Sequence, residues 1–349
     1  KDIKITNYKS YTPFLDSLSN NSLIFTNAFS NGRQSIEALP AILASIPSFK
    51  VPFTSSPYSN QKIQSLVSVF NNLGYETSFF HGAPNGSMGF SGLSNILGFN
   101  NYYGKNEFND SSLYDGYWGI WDEPFFQFTK KELDKTIEPF FTTLFSLSSH
   151  EPFKVPKKYE NKFPLGEIDM HQVIGYTDNA LKIFFNSAKN QDWFQNTLFV
   201  ITADHCNQFH FPIYRAPINR YAIPLIFYKP DGSLKGVNKQ LTQQLDIFPS
   251  IIDYVGFENE INSWGNSVFK YKNTNPYSIH FSGTVYRFIM NNRVLEFDGQ
   301  KVTGVFKKDD FFLEKNIMND PNVDYSFEEN YLKALLQDYV ERIVEKKLN

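Results

Sequence analysis

The chain has 349 residues, of which 41% are hydrophobic and 17% aromatic, and this composition excludes a mainly disordered chain because enough apolar surface is available to form a large core. Its 33 basic and 36 acidic side chains give a formal net charge of −3, which excludes nucleic-acid binding through a strong overall positive field. The single cysteine, Cys206, excludes an internal disulfide and a four-cysteine zinc site.

Apolar strand-like runs alternate with segments of helical periodicity over the first two thirds of the chain. This alternation predicts an α/β fold with a mostly parallel central sheet sandwiched by helices. The predicted strands are residues 22–29, 75–80, 140–147, 197–203 and 222–228, and the predicted helices are residues 35–46, 62–73, 167–188 and 241–255. The runs 140–147 and 197–203 are apolar enough to be buried strands. Residues 85–115, rich in Gly, Ser and Asn, are predicted to be a long loop that frames a site.

The pattern changes after about residue 259. Short strands are predicted at residues 277–282, 285–290, 293–297 and 302–306, and two of the turns between them carry the hairpin pairs Asn-Asn and Asp-Gly. Residues 327–348 have the apolar spacing of an amphipathic helix. We therefore expect a main α/β catalytic domain over residues 1–258 and a small C-terminal antiparallel subdomain with a terminal helix over residues 259–349.

Reactive side chains follow several of the predicted strands. Open parallel sheets place their sites at the carboxyl ends of their strands, so these side chains are candidates for one site. Asp204 and His205 come directly after the strand 197–203, and carboxylate and imidazole groups are ligands for a divalent ion of the Mn or Zn type. The alternative is structural: Asp204 caps the next element and His205 packs.

Ser35 stands at the start of a predicted helix, where the first amide groups and the positive end of the helix dipole suit a phosphate-like group. The alternative is that Ser35 is an ordinary helix N-cap. A nucleophilic hydroxyl needs a base or a metal to activate it, and the candidate metal ligands leave the same edge of the sheet. His150 after the strand 140–147, and His210 beyond His205, are candidates to donate hydrogen bonds to a phosphoryl oxygen; His81 after the strand 75–80 marks a further strand end.

Other catalytic motifs do not match. Ser35 lacks the Gly-x-Ser-x-Gly context of a nucleophile elbow, and the chain contains neither a phosphate-binding loop ending in Gly-Lys-Ser/Thr nor a dinucleotide-binding glycine motif after a strand. Chemistry driven by a nucleotide is therefore disfavoured.

The segments around these residues resemble a known family. They are Tyr-Thr-Pro-Phe-Leu-Asp from residue 11, Asn-Gly-Arg-Gln-Ser-Ile-Glu from residue 31, Trp-Gly-Ile-Trp-Asp from residue 118, Ser-Ser-His-Glu-Pro-Phe from residue 148, Tyr-Thr-Asp from residue 176 and Thr-Ala-Asp-His from residue 202. In these segments the chain resembles the lipoteichoic acid synthase-like phosphoglycerol transferases of the sulfatase and alkaline phosphatase superfamily. The resemblance covers nearly the whole catalytic domain of that family.

The resemblance implies roles for individual residues. Ser35 matches the nucleophile, which also contacts the metal and carries a covalent phospho intermediate, and Asp204 and His205 match two metal ligands. His150 and His210 match histidines that hold the substrate phosphate. In the head-group pocket the matching residue is Trp118, with Trp121 as the less certain alternative. The implied cofactor is one divalent ion, Mn²⁺ or Mg²⁺, with Zn²⁺ as an alternative.

The resemblance also implies partners and a location. The expected donor is a phospholipid head group like that of phosphatidylglycerol, the expected acceptor is a glycan or polymer, and no nucleic acid is expected. No apolar run here reaches the ~18 to 20 residues of a membrane-spanning helix, and the start of the chain lacks the apolar stretch of a signal peptide. We therefore expect a soluble piece of a protein held by an N-terminal anchor outside this chain, at the extracytoplasmic face of a bacterial cytoplasmic membrane.

Two departures from the family pattern leave alternatives open. Sulfatases proper mature a residue within Cys/Ser-x-Pro-x-Arg, and Ser35 is followed instead by Ile-Glu-Ala-Leu, so sulfate ester hydrolysis is disfavoured. The first strand of the family ends in a glutamate that binds the metal, but the acids before Ser35 are Asp2 and Asp16, and neither follows an apolar strand. Either the first strand lies upstream of this chain or the metal site is incomplete. The alternative functions are a phosphodiesterase or sulfatase-like hydrolase, and a non-catalytic domain that binds a phosphorylated glycan.

Overall fold

The computed structural model describes residues 9–270 and 275–349. Its helices, α1 to α10 in chain order, are Pro13–Ser19, Ser35–Ala44, Leu66–Asn72, Phe90–Leu97, Lys105–Phe108, Asp122–Leu133, Met170–Ala188, Asp192–Gln195, Ile247–Tyr254 and Ser326–Val344. Its strands, β1 to β13, are Leu23–Phe25, Ala28–Phe29, Glu76–His81, Asn101–Tyr103, Phe140–Phe145, Phe199–Thr202, Leu225–Tyr228, Gly236–Asn238, Thr242–Gln243, Tyr277–Phe281, Tyr286–Met290, Arg293–Phe297 and Val302–Lys307.

The main sheet consists of two larger pieces and one short pair. One piece has the order β4-β3-β5 with parallel pairing throughout. The other has the order β6-β7-β1-β8, in which β1 pairs in parallel with β8 and antiparallel with β7, and β6 pairs antiparallel with β7. The short strands β2 and β9 pair in parallel. The predicted α/β class is confirmed, with a mixed sheet in which parallel pairs predominate.

Helices cover both faces of this sheet. On one face, α2, α3, α4 and α9 contribute to a large apolar cluster through side chains such as Leu39, Phe70 and Ile247. On the other face, α1, α6, α7 and α8 form a second cluster around Phe126 and Phe184. The sheet is thus the middle of three layers, as the alternation of strand and helix patterns predicts.

The two pieces of the main sheet are separated between β5 and β6. Among the described residues, β5 pairs with β3 alone and β6 with β7 alone. A cavity of about 1040 Å³ lies between the two strands and is lined by both along their whole length. Every residue of β5 and β6 is only half-buried, so the prediction that 140–147 and 197–203 are buried strands is wrong for the structure as it stands. The cause is this cavity, which exposes the facing edge of each strand.

Several predicted elements differ from the structure at their ends. The predicted strand 22–29 is divided into β1 and β2, which pair with different partners. The predicted helix 62–73 begins only at Leu66, because Ser65 caps it by accepting a hydrogen bond from the Ser68 amide. The strand predicted from residue 222 begins after Pro224, which has no amide hydrogen to pair. The predicted loop 85–115 contains α4, β4 and α5, which are too short to show a clear period.

The C-terminal part follows its prediction closely. Strands β10 to β13 form an antiparallel meander in sequence order. Asn291 and Asn292 both adopt positive φ, as the tight turn between β11 and β12 requires. Helix α10 buries Leu332 and Leu335 in the same apolar cluster as Ile247 of the main part. The division into 1–258 and 259–349 stays a prediction. No helix among residues 9–270 and 275–349 is both long enough and apolar enough to span a bilayer.

Candidate active site

Ser35 is the first residue of α2, and Gln34 before it is the N-cap. The Glu37 side chain accepts hydrogen bonds from the amides of Arg33 and Gln34, at 2.7 and 3.0 Å, which fixes the turn into the helix. The Ser35 hydroxyl does not cap the helix and instead donates to Asp204 Oδ2 at 2.5 Å. The alternative of an ordinary N-cap serine is therefore not what the structure shows.

Asp204 and His205 leave the carboxyl end of β6 and turn toward Ser35. Asp204 Oδ1 accepts from the His205 amide at 2.8 Å, which leaves Oδ2 facing the Ser35 hydroxyl. His205 Nε2 lies 3.4 Å from the same Oδ2 atom, and His205 Nδ1 lies 3.1 Å from the Cys206 carbonyl oxygen. A hydroxyl, a carboxylate and an imidazole thus converge on one point.

This donor set fits part of the coordination sphere of a divalent ion. Oxygen and imidazole donors suit Mn²⁺, Mg²⁺ and Zn²⁺, and all three side chains line the same cavity. In the part of the chain that the structure describes, however, no group of three or more His, Cys, Asp or Glu side chains is arranged to hold a metal. The candidate donors that converge here are therefore Ser35, Asp204 and His205, and only two of them are of the His, Cys, Asp or Glu type.

The Gln244 side chain connects the end of β6 to the loop before Ser35. Its Nε2 donates to the carbonyl oxygens of Ala203 and Asp204, at 3.0 and 2.7 Å, while its Oε1 accepts from the Asn31 amide at 3.0 Å. The side chain is fully buried, so it holds the end of β6 and the loop before Ser35 at a fixed spacing. Sequence reasoning missed Gln244, because its position inside a predicted helix carried no signal of such a contact.

His150 and Trp118 form a second wall of the cavity. Their rings lie 4.1 Å apart between centroids, and Trp118 Nε1 donates to the Glu151 carbonyl oxygen at 2.5 Å. Both residues line the cavity that contains Ser35, and Trp118 is 37% exposed. The structure therefore places these two predicted residues in the lining of the cavity that also contains the predicted nucleophile.

Trp121 and His210 lie elsewhere. Trp121 packs edge-on against Tyr176, with 6.0 Å between ring centroids, and is absent from the lining of the Ser35 cavity. His210 Nε2 lies 3.6 Å from Glu167 Oε2, and its ring lies 5.4 Å from that of His171. Neither residue is brought to Ser35 in this structure, and their predicted roles in substrate binding stay predictions.

Two aspartates of the segments that resemble the family, Asp122 and Asp178, hold neighbouring backbone segments in place. Asp122 accepts from the amides of Leu147 and Ser148, at 2.8 and 3.1 Å, and from the Thr177 hydroxyl at 2.8 Å. Burial raises the pKa of the Asp122 carboxyl, and these hydrogen bonds oppose that shift. Asp178 accepts the amides of Phe14 and Leu15 at 2.9 Å each and thereby anchors the start of α1. Asp122 thus ties the segment that carries His150 to α7.

Burial also determines the protonation state of two side chains near the strand ends, His81 and Cys206. His81, at the end of β3, is fully buried beside Phe90 and Phe145, and burial lowers its pKa to about 4, so it is neutral near pH 7. Burial first, and then the Asp204 carboxylate, raise the pKa of the Cys206 thiol to about 11, so it stays protonated. Both side chains are therefore uncharged at neutral pH.

Two arginines add positive charge that sequence reasoning missed. The guanidinium groups of Arg33 and Arg220 lie 5.8 and 5.7 Å from the centroid of the Phe209 ring. Phe209 lies in the segment after β6 that also carries Asp204, so both charges lie beside that segment. The signal that could have found Arg33 is its position two residues before the candidate nucleophile.

Comparison with known proteins places this geometry in a family. Residues 1–257 match the profile of the sulfatase family. Lipoteichoic acid synthase 1 of Bacillus subtilis is 24% identical over 277 residues, which is 73% of this chain and 43% of that protein. A lipoteichoic acid synthase of Staphylococcus aureus is 23% identical over 279 residues, which is 74% of this chain and 43% of that protein. The chain thus spans about two fifths of the length of these relatives.

Solved structures share the fold. A protein of the alkaline phosphatase superfamily from Vibrio parahaemolyticus superposes with a TM-score of 0.83 and 20% identity, over 96% of this chain and 82% of that chain. The lipoteichoic acid synthase LtaP from Listeria monocytogenes superposes with a TM-score of 0.82 and 19% identity, over 97% of this chain and 88% of that chain. The family profile, which matches most of the chain, and this common fold show that the chain belongs to the sulfatase family, as a lipoteichoic acid synthase-like member of the sulfatase and alkaline phosphatase superfamily.

Proposed function

We propose that this protein transfers a phosphoglycerol-type group from a phospholipid to a glycan or polymer acceptor, through a covalent intermediate on Ser35 and with the help of one divalent metal ion. The observation that carries the proposal is the contact of 2.5 Å between the Ser35 hydroxyl and Asp204 Oδ2, with His205 Nε2 3.4 Å from the same oxygen. A serine held this way at a helix start has both a partner for its proton and a field that favours an anion.

The first step uses the hydroxyl and the helix start. The Ser35 oxygen attacks the phosphorus of the donor lipid, the bond from phosphorus to the diacylglycerol oxygen breaks, and that oxygen takes up a proton as it leaves. The Ser35 proton passes by way of Asp204 Oδ2, which accepts the hydrogen bond of the hydroxyl, to the leaving diacylglycerol oxygen, so Asp204 ends the step as a carboxylate. The phosphate ester would form at the start of α2, where the helix dipole favours an anion, and Arg33, two residues before Ser35, is the proposed source of further positive charge.

The second step reverses the first with a new alcohol. The acceptor hydroxyl attacks the phosphorus, the bond between the Ser35 oxygen and phosphorus breaks, and Ser35 regains a proton. The acceptor proton is released in the same step, so the transfer consumes no net proton. If water replaces the acceptor, the same steps give a phosphodiesterase, which makes the nature of the acceptor the difference between a transferase and a hydrolase.

Ser35, Asp204 and His205 are the residues that would hold the metal. A divalent ion there would lower the pKa of the serine hydroxyl and offset charge on the non-bridging phosphate oxygens. Together they would supply three donors to such an ion, and its remaining positions would be open to phosphate, water or a further ligand. Mn²⁺ or Mg²⁺ suits the oxygen-rich set, and Zn²⁺ is the alternative.

His150 and Trp118 are proposed to bind the donor head group. They line the cavity that also contains Ser35, and their rings lie 4.1 Å apart between centroids. His210 is proposed to reach the phosphate from the loop after β6, and Trp121 is the alternative to Trp118. The proposed location is the extracytoplasmic face of a bacterial cytoplasmic membrane, where a phospholipid donor and an envelope polymer meet.

The test is a labelled transfer assay. The protein is incubated with phosphatidylglycerol that carries a labelled glycerol head group, with Mn²⁺, Mg²⁺ or Zn²⁺ after dialysis against a chelator. We expect metal-dependent release of diacylglycerol and a phosphoglycerol adduct on Ser35 by mass spectrometry. Ser35→Ala abolishes both, whereas Ser187→Ala on the outer part of α7, which loses only a bond to the Phe184 carbonyl, leaves them unchanged. Full turnover by Ser35→Ala would refute the covalent scheme.

A second candidate is a domain that binds a phosphorylated glycan without catalysis. It is favoured by one finding, namely that the described residues contain no group of three or more His, Cys, Asp or Glu side chains placed to hold a metal. Titration calorimetry separates the two candidates, because catalysis requires stoichiometric uptake of a divalent ion whereas this alternative requires glycan binding that is independent of one. An intact, unmodified Ser35 in the mass spectrum also removes the third alternative, a sulfatase with a matured residue at position 35.

A further inference from the structure

The loop before Ser35 is in contact with the first strand of the C-terminal sheet. This nucleophile loop, residues 30–34, is buried at Ser30 and Asn31. Asn31 Nδ2 donates to the carbonyl oxygen of Ile279 on β10 at 2.9 Å. The C-terminal sheet therefore holds the chain only a few residues before the proposed nucleophile.

A second connection between β10 and the nucleophile loop runs through Tyr221 and His280. The Tyr221 carbonyl oxygen accepts from the Ser30 amide at 2.7 Å, and the Ser30 hydroxyl donates to the Gly32 carbonyl oxygen at 2.8 Å. The Tyr221 ring stacks on the His280 ring, with 3.6 Å between centroids and 24° between planes. Because the main chain of Tyr221 holds Ser30, the stack that fixes the Tyr221 ring also limits movement of the loop.

The environment of His280 is unusual for a histidine. It follows Ile279 on β10 and is completely buried, and within residues 9–270 and 275–349 neither of its ring nitrogens has a hydrogen-bond partner. Burial first, and then the charges of Arg287 and Arg220, lower the pKa of the imidazole well below 6.5, so the ring is neutral near pH 7. A buried polar group without a partner destabilises a fold. Hydrogen bonding and charge therefore do not account for this side chain, and what it supplies is a flat face against Tyr221.

We propose that His280 is a positioning residue for Ser35, because its stack with Tyr221 makes strand β10 of the C-terminal sheet a support for the nucleophile loop. The inference rests on the proposed function, since it takes Ser35 as the nucleophile. A displacement of about 1 Å at a reacting group costs roughly a hundredfold in rate. Among the described residues, neither His280 nor Tyr221 belongs to the lining of the Ser35 cavity, so the effect is expected in kcat and not in KM.

The test compares His280→Ala with two matched variants. His280→Phe keeps a flat ring against Tyr221 and removes the two unpaired nitrogens. Phe281→Ala removes a ring from the next position of β10, which points to the opposite face and stacks on Tyr286 at 5.0 Å. We expect His280→Ala to lower kcat for transfer from the lipid donor by roughly ten- to a hundredfold per folded molecule, with KM unchanged within about twofold. His280→Phe is expected to restore kcat, and Phe281→Ala to leave it unchanged.

Amide hydrogen exchange tests the same support without any turnover. The amides of Ser30 and Asn31 donate to the Tyr221 carbonyl oxygen and to Gln244 Oε1. We expect His280→Ala to speed exchange of these two amides by roughly tenfold or more, whereas His280→Phe and Phe281→Ala leave it as in the unmodified chain. Strand β3, which pairs on both sides, reports whether each sample is folded.

Ser30→Ala is the complementary change, because it removes the hydroxyl bond to Gly32 and keeps the amide bond to Tyr221. Both changes act on one chain of contacts, so the double variant His280→Ala/Ser30→Ala is expected to lose little more kcat than the more impaired single variant. The assignment is overturned if His280→Ala keeps either its kcat or the protection of the loop, if His280→Phe is as impaired as His280→Ala, or if the two losses multiply. The expected exchange response in a protein that forms no adduct on Ser35 would refute the proposed function alone and leave the support by β10 standing.

Discussion

Replacing Gln244 by methionine tests whether the spacing between Ser35 and Asp204 is set by one buried amide. The substitution keeps the length and the apolar stem of the side chain but removes its bonds to the Asn31 amide and to the carbonyl oxygens of Ala203 and Asp204. The Asn31 amide is left buried without a partner, at a cost of about 1 to 3 kcal/mol, and each carbonyl bond contributes about 0.5 to 1.5 kcal/mol. We therefore expect a loss of about 2 to 6 kcal/mol in the free energy of unfolding.

The activity of this variant distinguishes positioning from stability. If Gln244 holds the end of β6 against the loop before Ser35, the yield of phosphorylated Ser35 and kcat fall by roughly tenfold or more, because each tenfold corresponds to about 1.4 kcal/mol of transition-state stabilisation. KM for the lipid donor changes little, since Gln244 does not line the cavity.

Gln61→Met is the matched control for this experiment. It also removes a glutamine whose Nε2 bonds two carbonyl oxygens, those of Tyr58 and Ile343, but these lie near the C-terminal helix. We expect it to lower stability and to leave kcat per folded molecule unchanged. Measurement of urea unfolding and kcat for both variants checks the reasoning. If Gln244→Met loses activity only in proportion to its unfolded fraction, Gln244 is a stabilising residue and not a positioning one.

Three further outcomes are expected. Burial raises the pKa of the Asp246 carboxyl from 3.8 to about 7. The protonated carboxyl therefore stabilises the fold below pH 4, by about 4 kcal/mol at roughly 1.4 kcal/mol per pH unit. This contribution is lost as the pH rises to 7. The stability of Asp246→Asn relative to the unmodified chain should thus rise with pH between 4 and 7 in urea unfolding, and a flat difference would contradict the raised pKa. Trp118→Ala should raise KM for the lipid donor about three- to tenfold through loss of the contact with His150, with an unchanged KM as the contrary result. Arg33→Gln should raise KM for an anionic donor and weaken its dependence on salt, whereas an unaltered salt dependence would place Arg33 outside the substrate site.

The fold class and the residues of the candidate site could be predicted from the sequence. Periodicity is a local property, so the alternation of strand and helix patterns predicts the layers, and the hairpin pairs predict the C-terminal meander that the structure contains. Ser35, Asp204 and His205 could be predicted as site residues for a similar reason, because each stands at the end of a predicted strand or the start of a predicted helix. Strand ends in such a sheet meet at one edge.

The partners of these elements could not be predicted from the sequence and are known from the three-dimensional structure. Gln244 and Arg33 reach the site through contacts between segments far apart in sequence, and no local pattern encodes such contacts. The separation of β5 from β6 was hidden for the same reason. An apolar run indicates that the faces of a strand are buried. Whether the edge of that strand is paired depends on which other strand lies beside it in space.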